Sequence, residues 1–349
     1  MDKKNRNFSC NTNPLGPPPA VLEILRSNLK EMVTSYPNHT NVEAIKAISA
    51  YYNIPARNIL IGNGATEFLL IIPKAFDIKF GLVLSPTFWE YAFSLKRFNK
   101  PIKYFNLKAS EFFHINMSGL ERTIAEAGQS NNIFYVCNPN NPTGTLTAPD
   151  KILNLVKKFP RTMFVVDETY LLFHSNYHRL SLMKEAHKRL NLTVVTSLSK
   201  FFSVPGLRLG ILTSSAQNLS RIKKHQVLYG INSFAQQIVP SLFDDKSFID
   251  RSRKYISIEK DRVYKKLSGF KGLALYDSSA NFILAKLTGG SIDSTILCNE
   301  LKKEEIVIRN GCEFKNLGKK YIRFCLKNSI ENDVLFNKIR QILNHKDSS

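Results

Sequence analysis

From about residue 58 to about residue 213 the chain alternates short apolar, β-rich runs with amphipathic stretches of helical period. Few folds accept that alternation. The β-rich runs cover 59–61, 80–84, 102–106, 133–137, 163–166, 193–197 and 209–212, with helical stretches such as 118–127 and 149–159 between them. Strands spaced by helices predict an α/β domain in which a mostly parallel seven-stranded sheet lies between helices. After Phe243 the rhythm changes. A long charged helix over 246–267 leads to a strand at 280–285, a helix around 292–305, strands at 306–309 and 321–326, and a last helix from near Glu331. This reads as a smaller α+β domain against which the amino-terminal arm, with Pro14-Leu-Gly-Pro-Pro-Pro19, is expected to pack. The expected division is a large domain over 30–242 and a small one formed by 1–29 with 243–349.

At 349 residues the chain is long enough for one large core and a lesser lobe. Its longest apolar run, around Phe68-Leu-Leu-Ile-Ile72, stops at Pro73-Lys74, too short to span a bilayer. The charged start Met1-Asp-Lys-Lys is followed by no apolar stretch, so a secretory signal is not expected and a cytoplasmic protein is. Five cysteines without metal-ligand spacing argue for reduced thiols, with Cys137 and Cys325 as small core residues, and no metal site. The net charge of +21 raises nucleic acid as a partner. The lysines are dispersed in pairs such as Lys157-Lys158 and Lys223-Lys224, with no nucleic-acid motif among them, so that partner is not expected. A positive field does suit an anionic, phosphorylated substrate.

Ligands of open α/β sheets collect beyond the carboxyl ends of the strands. Several runs here end in reactive or polar residues. The run at 59–61 leads into Gly62-Asn-Gly64-Ala65-Thr66 and an apolar helix, where backbone amides could hold a phosphate, although a glycine turn before a helix is often only a turn. The run at 133–137 leads into Asn138-Pro-Asn-Asn141-Pro-Thr-Gly144, a stiff loop able to present the Asn141 amide. Asp167 closes another run with no local cation; a helix cap or a protonated ring nitrogen would each satisfy it. Phe88, after the run at 80–84, suits core packing or stacking on a flat ring. In Ser197-Leu-Ser199-Lys200 a lysine stands at the mouth of a strand, ringed by hydroxyls, with Arg208 eight residues on. Burial there would lower its pKa, and such amines serve as imine-forming nucleophiles.

In order and spacing, Asn141-Pro-Thr-Gly144, Asp167-Glu-Thr-Tyr170, Ser197-Leu-Ser-Lys200 and Gly206-Leu-Arg208-Leu-Gly210 resemble the motifs of the fold-type I pyridoxal-phosphate enzymes of aminotransferase class I/II, and the resemblance runs over essentially the whole chain. It implies pyridoxal 5′-phosphate as cofactor, Lys200 as its Schiff-base lysine, and Asp167 as partner of the pyridine nitrogen. It places Asn141 and Tyr170 at the ring hydroxyl and Phe88 on the ring face. Gly64, Ala65, Thr66, Ser197, Ser199 and Arg208 fall at the phosphate. It also implies a homodimer in which Tyr36 reaches the phosphate of the other subunit.

Two phosphate-ester subfamilies share an arginine like Arg309 for the substrate phosphate and one like Arg323 on the next strand: histidinol-phosphate aminotransferases and threonine-phosphate decarboxylases of the cobalamin pathway. Thr12 and Asn13 in Asn11-Thr-Asn-Pro-Leu-Gly16, Phe88, and the run from Tyr321 to Asn332 are similar to the decarboxylases. Tyr170 follows the aminotransferases, and Lys327 stands where a second arginine is usual, so a direct substrate role for Lys327 is not expected. The expectation is decarboxylation of O-phospho-L-threonine or O-phospho-L-serine, with histidinol-phosphate transamination as the alternative and a non-catalytic relative as a remote one.

Overall fold

The computed structural model describes residues 6–126, 128, 131–290 and 292–346. After a two-residue strand β1 (Arg6–Asn7), the seven expected runs form β2 (Ile59–Asn63), β3 (Phe80–Ser85), β4 (Ile102–Asn106), β5 (Asn132–Cys137), β6 (Thr162–Asp167), β7 (Leu192–Ser197) and β8 (Leu209–Thr213). They make one sheet in the order β2-β8-β7-β6-β5-β3-β4, in which β8 runs antiparallel to both its neighbours and the other pairs are parallel.

The twofold period of a strand divides these side chains between two cores. Val83, Tyr135, Val165, Val195 and Leu212 point to one face and pack with Leu69, Ile72, Leu95 and Ile222 from helices Ala65–Ala75, Glu90–Arg97 and Ala216–Lys223. Leu82, Phe134, Phe164, Val194 and Ile211 point to the other face and meet Leu120, Leu155 and Ile238. With both faces covered, β5 and β7 are buried at every position, which is why they read as mostly apolar runs without a charged residue. The helix expected at 118–127 spans Met117–Ala125; Ala127 lies outside the described residues, as does the charged start at 1–5.

The second sheet has the order β12-β13-β10-β9, from β9 (Leu273–Leu275), β10 (Phe282–Leu287), β12 (Arg309–Asn310) and β13 (Tyr321–Cys325), and is antiparallel throughout. The long helix is Lys246–Leu267. Three details differ from expectation. The strand placed at 280–285 begins two residues later, because Ala280 and Asn281 belong to the turn that binds the arm. The strand placed at 306–309 is split: β11 (Ile306–Val307) pairs in parallel with β1, while β12 pairs with β13. β9 was not foreseen. The arm packs here as expected, since Phe8 donates its N–H to Val307 O at 2.7 Å and accepts from Cys325 N–H at 2.9 Å. The five cysteines carry no disulfide. Among the described residues no helix is long and apolar enough to cross a membrane, and no cluster of three metal-ligating side chains occurs.

Candidate active site

Cys137, Asp167 and Ser197 are the last residues of three adjacent parallel strands, β5, β6 and β7. They open into a cavity of about 160 Å³ lined also by Ala65, Thr66, Phe88, Tyr170, Ser199, Lys200 and Arg208. Residues spread over more than 140 positions of sequence are thus gathered at one sheet edge.

Asp167 forms the floor and is 5% exposed. Its Oδ2 accepts from Tyr91 Oη at 2.8 Å and its Oδ1 from the Thr169 N–H at 2.9 Å. Both donors are neutral. Burial pushes this carboxyl up, and the bonds from Thr169 and Tyr91 oppose the rise. A buried carboxylate in that condition favours a cationic partner. Lys200 sits on the short helix Leu198–Phe201 directly after β7. Burial lowers its amine pKa, and the charges of Arg323 and Arg208 act in the same direction.

At the other end, helix Ala65–Ala75 begins at Gly64, whose φ of 77° and lack of a capping side chain leave the first amides without a side-chain acceptor. Gly64 N–H donates to Arg208 O at 3.0 Å, tying this turn to the start of β8. A Cβ on Gly64 would strike the Arg208 guanidinium, and one on Gly210 would strike the Ala65 amide. The cradle therefore exists only with glycine at both places. The Ser197 and Ser199 hydroxyls face the Leu209 carbonyl at 3.5 Å each. Phe88 stands on the cavity wall, edge-on to Tyr91 at 5.7 Å.

Next to the cavity the two sheets meet through Arg323, which is 3% exposed. It donates from Nη1 to Asn141 Oδ1 at 2.6 Å and from Nη2 to Ser9 O at 2.5 Å, and lies over the rings of Phe282 and Phe314. Every one of those partners is neutral, and its Nε has no protein partner. Burial pushes its pKa down to about 10, so it stays cationic at neutral pH. Arg309 is its cross-strand partner, so both side chains leave the same face of the sheet. Arg309 pairs with Glu313 at 2.8 Å, and its Nε is likewise buried without a protein partner. Tyr170 packs edge-on to Phe282 at 4.9 Å.

One expected residue is engaged differently. Asn13 donates to Phe201 O and Ser252 Oγ, both at 2.8 Å, and accepts from Leu15 N–H at 3.0 Å, so its side chain latches the arm rather than facing the cavity. Thr12 precedes it on the same arm, its carbonyl reached by Asn281 at 3.5 Å. Tyr36 is 88% exposed, in ring contact with Tyr229 and outside this chain's cavity. Sequence reasoning missed Glu90, Tyr91 and Thr169, all of which line the cavity. Trp89-Glu-Tyr91 directly follows Phe88, and an acid in a first helical turn reads as ordinary helix stabilisation.

The family model for aminotransferase class I and II matches residues 3–339. A putative threonine-phosphate decarboxylase from Caldanaerobacter subterraneus is 31% identical over 95% of this chain and 88% of its own length. The adenosylcobalamin biosynthesis bifunctional protein CobDQ from Leptospira interrogans is 29% identical over 97% of this chain, which spans 39% of that longer protein. Among solved structures, the histidinol-phosphate aminotransferase from Clostridium acetobutylicum superposes with a TM-score of 0.88 at 26% identity, covering 97% of this chain and 99% of that one.

Pyridoxal 5′-phosphate is the cofactor, and the residues present fit it: a buried acid facing neutral donors, an amine with a lowered pKa, and a glycine cradle at a helix start beside an arginine. The chain belongs to the pyridoxal-phosphate-dependent aminotransferase class I and II family.

Proposed function

We propose that this enzyme decarboxylates a phosphorylated amino acid, O-phospho-L-threonine or O-phospho-L-serine, releasing an amino-alcohol phosphate. The observation that carries this reading is Arg323, a buried cation with neutral partners beside a second arginine on the same face. A buried charge without a counter-ion is costly, and an anionic ligand removes that cost. A phospho-amino acid brings two anionic ends for two arginines, whereas histidinol phosphate brings one anionic end and an imidazole.

In this reading Lys200 carries the cofactor, Asp167 faces its ring nitrogen, and Asn141 and Tyr170 face the ring hydroxyl. Phe88 covers the ring. Gly64, Ala65, Thr66, Ser197, Ser199 and Arg208 hold the phosphate. When bound, the cofactor supplies an electron sink for the substrate α-carbon. Arg323 grips the substrate carboxylate and Arg309 the phosphate, and together they fix which α-carbon bond is exposed to cleavage. Arg309 shares its guanidinium with Glu313, so its contribution is binding more than orientation. Lys200 Nζ delivers a proton to the α-carbon after carbon dioxide leaves. Thr12 borders the substrate, and Asn13 acts through the arm.

Residues 30–242 form the cofactor-binding domain in this reading, and 1–29 with 243–349 the small one. Support comes from the two sheets, which share no strand. We further assign a cytoplasmic homodimer, with exposed Tyr36 reaching the partner's phosphate site. Transamination of histidinol phosphate is the second reading, favoured by the Clostridium structure. Incubation with O-phospho-L-threonine, measuring carbon dioxide and amino-alcohol phosphate, separates the two. Gas release in equal amount to product supports decarboxylation. Glutamate formed from histidinol phosphate and 2-oxoglutarate, with no gas from the phospho-amino acid, overturns it.

A further inference from the structure

Besides Asp167, the cavity is lined by a second acidic side chain, Glu90. It opens helix Glu90–Arg97, and its Oε2 accepts from Thr66 Oγ1 at 2.7 Å. Thr66 is the second residue of helix Ala65–Ala75, so Glu90 occupies a donor at the helix start that suits a phosphate. The groups facing it come from four elements: the Thr66 hydroxyl, the Asp167 carboxylate of β6, the Arg208 guanidinium before β8, and the Lys200 amine. Burial raises the Glu90 carboxyl pKa; the Thr66 bond opposes the rise, Asp167 adds to it, and Arg208 and Lys200 lower it. With the cavity free, Arg208 and Lys200 balance a charged Glu90. A phosphate that takes Arg208 and the Thr66 end for itself removes that balance and adds a like charge. Two anions sharing one poorly solvated site drive one of them to hold a proton.

We propose that Glu90 takes up one proton when the cofactor's phosphate binds, so that the two share the donor set as one acid and one anion. The inference rests on the reading that Ala65, Thr66, Ser197, Ser199 and Arg208 hold that phosphate. The proton comes from solvent and ends on a carboxyl oxygen of Glu90, and no covalent bond of the cofactor changes. Cofactor affinity is thereby coupled to pH through a residue that has no part in the chemistry at the α-carbon.

The test uses pyridoxine 5′-phosphate, which has an alcohol in place of the aldehyde and so binds without bonding to Lys200, and pyridoxine, which also lacks the phosphate. Calorimetry of the cofactor-free full chain at pH 8, in buffers of different ionisation heat, counts the protons taken up. A phosphate monoester with its second pKa near ~6 is dianionic there. The wild type is expected to take up close to one proton more per site than Glu90→Gln on binding the phosphate ester. With pyridoxine the two proteins should agree. Between the carboxyl pKa values of the free and the bound states, wild-type affinity for the ester should also fall relative to the glutamine variant by about tenfold per pH unit. A wild-type comparison of ester against pyridoxine gives a reading that survives if the variant folds poorly. Equal proton counts in both proteins, or the same difference with pyridoxine, overturn the proposal. If the phosphate ester binds no more tightly than pyridoxine, the phosphate site itself is misassigned and the proposal falls with it, by a different result.

Discussion

Asp167 and Glu168 are neighbours with separate tasks. Asp167 lines the cavity, while Glu168 accepts from Ser181 Oγ and the Leu182 N–H, both at 2.6 Å, and anchors the segment that follows β6. Burial pushes the Glu168 carboxyl up to about 7, against 4.5 for a free one. Between those values the unfolded chain releases a proton that the folded chain keeps. Stability therefore falls as pH rises from about 4.5 to about 7 and levels off above, by roughly 3 kcal/mol at the linkage rate. Glu168→Gln should flatten that slope, read by denaturant unfolding at pH 5 and pH 7.5. Parallel wild-type and variant profiles would show that the buried acid is not the source. At this scale Lys200, Asp167 and Arg208 stood out as costly side chains beside strand ends, and the order of the motifs they belong to, through the family resemblance, gave them their expected roles. Glu90 and Tyr91 were not, because an acid and an aromatic opening a helix are common wherever helices start. Nor did the sequence show that Asn13 would spend its amide on Phe201 and Ser252, since those partners lie 188 and 239 positions away.

In the proposed reading the turn from β2 into helix Ala65–Ala75 holds the cofactor's phosphate, and the geometry of that turn depends on Gly64. Gly64→Ala places a side chain at a φ of 77° and against the Arg208 guanidinium. The backbone strain is on the order of 1–2 kcal/mol, which lowers the melting temperature by a few degrees. Displacing Arg208 should weaken pyridoxal 5′-phosphate binding at least about tenfold, the effect of one charge-assisted hydrogen bond. Binding measured by the cofactor's absorbance, beside a thermal melt, checks the split; a variant that melts lower and binds normally contradicts it. The inner strands of the large sheet were legible because burial on both faces leaves short, mostly apolar runs, whereas the edge strand β4 is nowhere fully buried. β9 has three residues with one buried, too short to set a period, and β11 and β12 were fused because Ile308 continues the apolar run across the point where pairing changes from β1 to β13.

Over the whole molecule, Arg323 on β13 binds Asn141 beyond β5, and the arm's Asn13 N–H binds Lys200 O at 2.9 Å. The second sheet and the arm thus bear directly on the residues around the cavity. No period or spacing in the sequence encodes those contacts, and the bond between Arg323 and Asn141 was not expected from it. The central claim is that the cofactor is held by Lys200. Of the cavity's lining residues, Lys200 alone carries an amine, in a chain with 49 lysines and arginines. Borohydride reduction of the enzyme loaded with pyridoxal 5′-phosphate, followed by peptide mass spectrometry, reads the attachment point directly. A phosphopyridoxyl mass on the peptide containing Lys200, lost in Lys200→Ala, is the predicted result; stoichiometric label on another lysine, or none, would contradict the account.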